Sequence, residues 1–361
     1  MADLGKERRE QYTRRVAENL PDKLEFPGFT KKLSLRYGIN PGAPAAFYAE
    51  DSAQGPTMAN FQILQEGRGL GYINVADMDL GQSLIKLLHE DYPDKAAYCI
   101  VKHEIPSGVA LGDNSFDAFI DAWSSDPLSS FGGVHVSSKI VHEKLAKELI
   151  NKERNVEVIY APEFADQALT ILQERKDLRI VLMKSLHESL VDNGLDYKRV
   201  TGGMLIQPRW QTRIHTRNDV ECVSERQPTE RELDAGLFNW KVACFTRSNA
   251  VIIGTEYKTH GIGSGQRSRI AAAVQAVGFA NGFDGRYKGF GSKGTVMASD
   301  AYMPSTDVVE LAAENGVTGI IFPLGSIKDK DVIETANKHS LTLLATRAVG
   351  QPDSERCFTH R

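Results

Sequence analysis

Apolar positions along this chain recur with two periods, one suited to strands and the other to helices. Over residues 77–90, Met78, Leu84, Ile85 and Leu88 return at three- and four-residue intervals and predict an amphipathic helix. The apolar run over 96–102 reads as a buried strand. Helices are expected over 116–123, 141–151 and 164–175, with strands over 156–161 and 178–183. The second half keeps the rhythm: helix over 230–244, strand over 250–254, helix over 266–277, strand over 319–322, helix over 331–339, strand over 341–345. Such alternation predicts an α/β fold, with helices covering a mixed or parallel sheet. No residue-level repeat relates the halves. Alternating charges over 5–19 read as a solvated helix, and Pro21 with Pro27-Gly28 marks a linker. The Gly- and aromatic-rich stretch 278–294 reads as an irregular excursion. A break near 192–198 divides the chain into a helix and linker (1–30), a first domain (31–195) and a second (196–361).

Composition narrows the function classes. A length of 361 residues suits two domains, each with its own core. A net charge of −4, without a basic stripe, argues against nucleic acid as partner. Cys99, Cys222, Cys244 and Cys357 are too dispersed for a disulfide framework or a metal knuckle, which fits a reducing compartment. The opening Lys6-Glu7-Arg8-Arg9-Glu10 is too charged for a signal peptide, and no apolar run reaches the ~18 residues of a membrane span. A cytoplasmic protein with no membrane partner is expected.

The segment richest in chemistry runs from Val101 to Ala110 and sets Lys102 beside His103. Neighbours on a strand face opposite ways, so the two share a site only where the strand ends; Pro106 and Gly108 are expected to make that ending. Imidazoles titrate near neutrality and a desolvated ammonium can be drawn downward, so such a pair suits proton movement. An ordinary strand end with a surface lysine remains the alternative. Arg36-Tyr37-Gly38 offers a guanidinium for phosphate and a ring for stacking, or simply a turn. Asn74 or Asp77 can cap a helix, and Asn74 can also face a ligand. The loop from Asp126 to Gly133, with Ser129, Phe131 and Gly132, can line a flat pocket or serve as a structural turn. Gly261-Ile262-Gly263-Ser264-Gly265 precedes a helix carrying Arg269 one turn in; an anion site and a ligand-free hairpin are both open. It lacks both the dinucleotide fingerprint and the phosphate-loop lysine. Tyr302, Asp307 and Ser326 follow probable strand ends, where α/β proteins place ligands.

Taken in order, these segments resemble the transformylase half of the bifunctional purine-biosynthesis protein, aminoimidazole carboxamide ribonucleotide (AICAR) transformylase / inosine monophosphate cyclohydrolase. The match runs over 35–360, through Arg-Tyr-Gly-x-Asn-Pro, Lys-His-x-x-Pro-x-Gly, Ser-Phe-Gly-Gly, Val200-Thr201-Gly202-Gly203, Ser248-Asn249-Ala250, Gly-Ile-Gly-x-Gly-Gln-x-Ser-Arg and the block from Val296 to Ala301. The resemblance implies two cytidine-deaminase-like, three-layer α/β/α subdomains in a homodimer with active sites at the interface. The zinc signature of the deaminases is absent, so no metal is expected. With no room for a cyclohydrolase domain before Leu35, a stand-alone transformylase is expected. The implied reaction moves a formyl group from 10-formyltetrahydrofolate, a co-substrate, to the 5-amino group of AICAR; a monovalent cation also comes into consideration. By motif match, His103 accepts the proton of the amine, Lys102 stabilises the oxyanion or protonates the departing folate nitrogen, and Asn249 orients the reacting groups. Arg36 and Arg269 hold the nucleotide beside Tyr37 and Asn74. Ser129, Phe131, Gly132, Tyr302, Asp307 and Ser326 border the ligands, and Arg356 matches an arginine near the family's C-terminus. Where the family commonly has Phe-Phe-Pro-Phe-Arg-Asp, this chain reads Tyr302-Met303-Pro304-Ser305-Thr306-Asp307. That departure motivates an alternative in which the same fold uses another formyl donor or a related amine. A nucleotide-binding regulator without turnover is the non-enzymatic alternative.

Overall fold

Where the sequence alternates between strand and helix periods, the computed structural model alternates too; it describes residues 20–188, 194–209, 212, 214–346 and 359. The helix expected over 5–19, residues 192 and 193 of the expected break, and Arg356 lie outside those residues.

An antiparallel hairpin comes first, β1 (Phe29–Leu35) and β2 (Ala45–Glu50). The first large sheet holds β3 (Gln62–Gln65), β4 (Ala96–Lys102), β5 (Ile105–Gly112), β6 (Val134–Ser137), β7 (Val158–Ala161) and β8 (Arg179–Leu182), in the spatial order β3-β8-β7-β6-β4-β5. A second hairpin, β9 (Leu195–Val200) and β10 (Gly203–Pro208), stands apart from both large sheets. The second large sheet holds β11 (Glu221–Cys222), β12 (Val251–Gly254), β13 (Thr259–Gly263), β14 (Val296–Ser299), β15 (Gly319–Phe322) and β16 (Thr342–Ala345), ordered β11-β16-β15-β14-β12-β13. Substituting each strand by its counterpart turns one order into the other. The pairing senses agree as well: β6-β7-β8 and β14-β15-β16 are parallel, and every other neighbouring pair is antiparallel. The shared rhythm of the sequence is thus a repeated topology without a repeated sequence, and the fold is α/β with two alike subdomains.

The helices repeat in step: α1 (Tyr72–Asp91), α2 (Ser115–Ser125), α3 (Glu143–Leu149) and α4 (Asp166–Glu174) in the first half, then α5 (Glu230–Ala243), α6 (Arg269–Ala280), α7 (Asp307–Glu314) and α8 (Asp329–Lys338). Each start has a local reason. Asn114 accepts the amides of Phe116 and Asp117 at the head of α2, and Thr229 and Glu232 cap α5 reciprocally. The first helix opens at Tyr72, five residues before the expected start at 77, because Asn74 accepts the amide of Gly71 and completes a cap there.

One apolar cluster joins α1 and α5 to a face of both sheets, from Met78, Leu84 and Ile85 to Phe238, Trp240 and Ile252. The opposite faces bury separate clusters, under α2 and α3 in the first half and α6 and α7 in the second. Each half is therefore three-layered. The central parallel strands β7 and β15 are buried end to end, as strands covered on both faces must be. Among the described residues no helix is long and apolar enough to cross a membrane.

The sheets meet along β5 and β13. Leu111 N donates to Tyr257 O at 2.7 Å, and the buried Thr259 hydroxyl engages both Val109 N and Ser125 Oγ at 3.0 Å. The isolated bridge Ala110–Lys258 is antiparallel, so the start of β5 and the end of β13 lie at the same edge of the paired sheets.

Candidate active site

One expectation about this edge is corrected. Pro106 and Gly108 do not turn the chain; both lie inside β5, and the turn comes earlier, at His103 and Glu104. Pro106 is tolerated because β5 is the last strand of its sheet. Gly108 is needed for close packing, since a Cβ there would lie 1.9 Å from the carbonyl oxygen of Ala122 on α2.

Lys102 pairs with Ile105, so only two residues close the hairpin. Both adopt the left-handed region, His103 at φ 55° and Glu104 at φ 59°. Such turns usually take Asn-Gly, and each non-glycine residue costs about 1–2 kcal/mol in that region. The compensation comes from α1. Asp77 is buried beneath the turn, its Oδ2 accepting the amide of His103 at 3.2 Å and its Oδ1 that of Glu104 at 2.6 Å. Burial pushes the Asp77 carboxyl up to about 7, against the pull of those two amides, and the nearby Glu104 and Glu157 carboxylates push the same way.

Beside the turn, Lys102 Nζ donates to Phe131 O at 2.6 Å and sits next to Gly132. Asp126 is buried there and caps a one-turn helix, Pro127–Ser130, by accepting the Ser129 amide at 3.0 Å; burial raises its carboxyl, while the Ser129 bonds and the Lys102 charge oppose. Ser130 Oγ, 3.1 Å from Ser107 Oγ, ties the loop to β5. Lys102, His103, Ser129, Phe131 and Gly132 thus share one corner, with the Phe131 ring exposed.

A second group adjoins at the head of α1. Arg36 leaves β1 and folds over Tyr37, its guanidinium 4.6 Å from the ring centre and Nη2 2.7 Å from the hydroxyl. Tyr37 O accepts Tyr72 N, bringing this pair to the first turn of α1. Asn74 Nδ2 reaches Glu157 Oε2 at 3.3 Å, and Glu157 pairs with Arg179, also at 3.3 Å. Arg179 is buried, donates to Gly69 O, and is held below its ordinary value chiefly by burial, with Arg36 and Arg68 adding repulsion. Arg36 and Arg68 thus lie near the N-terminus of α1 beside the Arg179–Glu157 pair, and Arg68 itself pairs with Asp177 at 3.0 Å; a helix N-terminus with an arginine beside it favours an anion.

The third group belongs to the second half. Asn249 donates from N and Nδ2 to Gln266 O, at 3.1 and 2.8 Å, joining the start of β12 to the glycine-rich segment. Arg269 is the first residue of α6, not one turn in, and its guanidinium points inward: it pairs with buried Asp300 and donates to Ser299 Oγ at 2.9 Å. Asp300 Oδ1 also accepts Ala250 N at 3.0 Å. Tyr302 is half-buried just beyond β14. Asp307 opens α7 and accepts the Ser305 hydroxyl, whereas Ser326 donates its amide to Asp329 at the head of α8. By strand pairing, Lys102 and Asn249 lie at the same edge, with β5 and β13 between them. Among the described residues, no three His, Cys, Asp or Glu side chains converge as a metal site requires.

Sequence reasoning missed three members of this edge: Asp77 as a turn support, Glu157 and Arg179. A signal for Asp77 existed, since it falls on the same helical stripe as Gly81, Leu84 and Leu88, where a charge is out of place. Glu157 and Arg179 gave none, being single charges at the mouths of buried strands.

A family profile described as "AICARFT/IMPCHase bienzyme" matches residues 6–278. The bifunctional purine biosynthesis protein PurH of Caldicellulosiruptor saccharolyticus is 38% identical over 331 residues, which cover 91% of this chain and 60% of that protein. The chain therefore spans about three fifths of that relative's length.

Proposed function

Because the chain belongs to the AICARFT/IMPCHase family, we propose that it catalyses the transformylase reaction, moving a formyl group from 10-formyltetrahydrofolate to the 5-amino group of AICAR. The observation that carries this reading is the hairpin turn at the end of β4, which holds the adjacent Lys102 and His103 at the same sheet edge as Asn249. The amine of AICAR is a weak nucleophile, its lone pair delocalised into the imidazole, so rate must come from orientation and proton management. The amine nitrogen bonds to the formyl carbon, giving a tetrahedral centre with a developing oxyanion. His103 takes the proton the amine sheds. Lys102 donates to the oxyanion and then supports protonation of folate N10 as the carbon–N10 bond breaks. The products are formylated AICAR and tetrahydrofolate.

In this reading Arg36, Tyr37 and Asn74 receive the nucleotide, with its phosphate toward the arginines. Asn249 orients the reacting groups. Ser129, Phe131, Gly132, Tyr302, Asp307 and Ser326 line the ligands. Arg269, to reach a phosphate, would have to leave Asp300, so its part is to fix the wall carrying Asn249. The working unit is a cytoplasmic homodimer; exposed Tyr197, Met204 and Leu205 on the β9–β10 hairpin suit burial against a second copy.

An absorbance assay of tetrahydrofolate release, with AICAR and the folate donor, tests this. Lys102→Ala and His103→Ala are each expected to lose on the order of 10²–10⁴-fold in kcat while calorimetric AICAR binding stays close to wild type. A wild-type-like rate in either variant removes the mechanism. Absence of heat on adding a folate analogue to the AICAR-bound protein removes the donor.

A further inference from the structure

We propose that Asp77 is a positioning residue for the Lys102–His103 pair, holding the two-residue turn that aims them. It acts through the backbone amides of His103 and Glu104. This deepens the formyl-transfer reading and rests on it. Asp77 touches no reacting atom; its side chain reaches the turn from below, out of the second turn of α1. Three features make the carboxylate the element that fixes the turn. The turn residues are both left-handed and neither is glycine, so their own preferences oppose the conformation. Their side chains are exposed and bring no packing to hold it. The two carboxyl oxygens meet both inward-facing amides at once, one on each, whereas an amide side chain offers a single acceptor oxygen. A helix position that faces the core and keeps a carboxyl group has given up apolar burial there, and what the fold gains is the turn.

The consequence is that the turn can be damaged without touching Lys102 or His103, and repaired without restoring Asp77. In Asp77→Asn one amide loses its acceptor. Glycine at the second turn position needs no such support, because it enters the left-handed region freely. The experiment uses the full chain in four forms: wild type, Asp77→Asn, Glu104→Gly and the double variant. Amide exchange read by mass spectrometry on the peptide spanning the turn should speed up by about tenfold in Asp77→Asn, with the rest of the molecule unchanged. Its kcat should fall on the order of 10²-fold at constant KM for AICAR. Glu104→Gly alone should behave as wild type, and the double variant should recover most of the lost kcat. Faster exchange with an unchanged kcat overturns the proposal, as does a fallen kcat that glycine does not recover. If wild type itself transfers no formyl group, it is the proposed function that fails; exchange then still decides whether Asp77 holds the turn, and unchanged exchange rejects that as well.

Discussion

The turn between β4 and β5 and its counterpart between β12 and β13 occupy equivalent places in a repeated topology, yet they use their residues in opposite ways. The first exposes His103 and Glu104, and its left-handed backbone rests on a buried carboxylate. The second is four residues long, closed by Thr255 N donating to Lys258 O at 3.0 Å, and it faces the other half. There Lys258 pairs with Asp121 at 2.9 Å and Tyr257 O receives the Leu111 amide. One turn is free for chemistry while the other is joinery. The antiparallel meeting of the sheets explains the split, since equivalent strand ends point to opposite edges. The candidate edge therefore combines the N-terminal ends of β6–β8 with the C-terminal ends of β14–β16. A duplicated fold here brings different ends of its two copies to one candidate edge.

This contrast can be broken at defined points. If the Arg269–Asp300 pair is internal support for the second half, Arg269→Met leaves a buried carboxylate uncompensated and should cost about 3–5 kcal/mol in denaturant unfolding. Full stability with lost AICAR binding would instead make Arg269 a direct ligand. At the seam, Thr259→Val keeps the shape but strands Val109 N and Ser125 Oγ, and should cost about 1–3 kcal/mol with little change in KM. An unchanged midpoint there would show that the joinery lies elsewhere. The smallest effect concerns Asp77. Its folded value lies near 7, above the ordinary carboxyl value, so between pH 4 and 7 the folded state binds the extra proton. Stability from this group is accordingly greatest at low pH and falls as pH rises through that window. Relative to Asp77→Asn, wild type should lose about 1 kcal/mol between pH 5 and pH 6. Parallel pH profiles for the two proteins would refute the raised value.

Much of the scaffold was legible because it rests on periodicity. Strands Ala96–Lys102 and Gly319–Phe322 run over the expected residues, and α5 ends within one residue of its expected bound. The glycine-rich segment was harder. Part of it is β13, where Gly263 belongs because a Cβ would come within 1.9 Å of Ala272 O on α6; long-range packing, not local preference, selects glycine there. The turn was misplaced for a similar reason. Pro106 and Gly108 carry strong local signals, but sheet-edge position and contact with α2 absorb them, while His103 and Glu104 carry no local signal at all. At the site, the motif residues of the corner were readable as a set. Asp77, Glu157 and Arg179 were not, because what they do depends on distant backbone and charges brought close only by folding.

The seam between the sheets also governs how the chain must be made and handled. Strand β5 is buried along nearly all of its eight residues, and β13 along all five. The outermost strands, β3 and β11, are only four and two residues long. Each half shields the long sticky margin of the other and leaves short ends outside. Either half produced alone would present an unpaired apolar ribbon to its neighbours in solution, and self-association into insoluble material is the expected fate of such fragments.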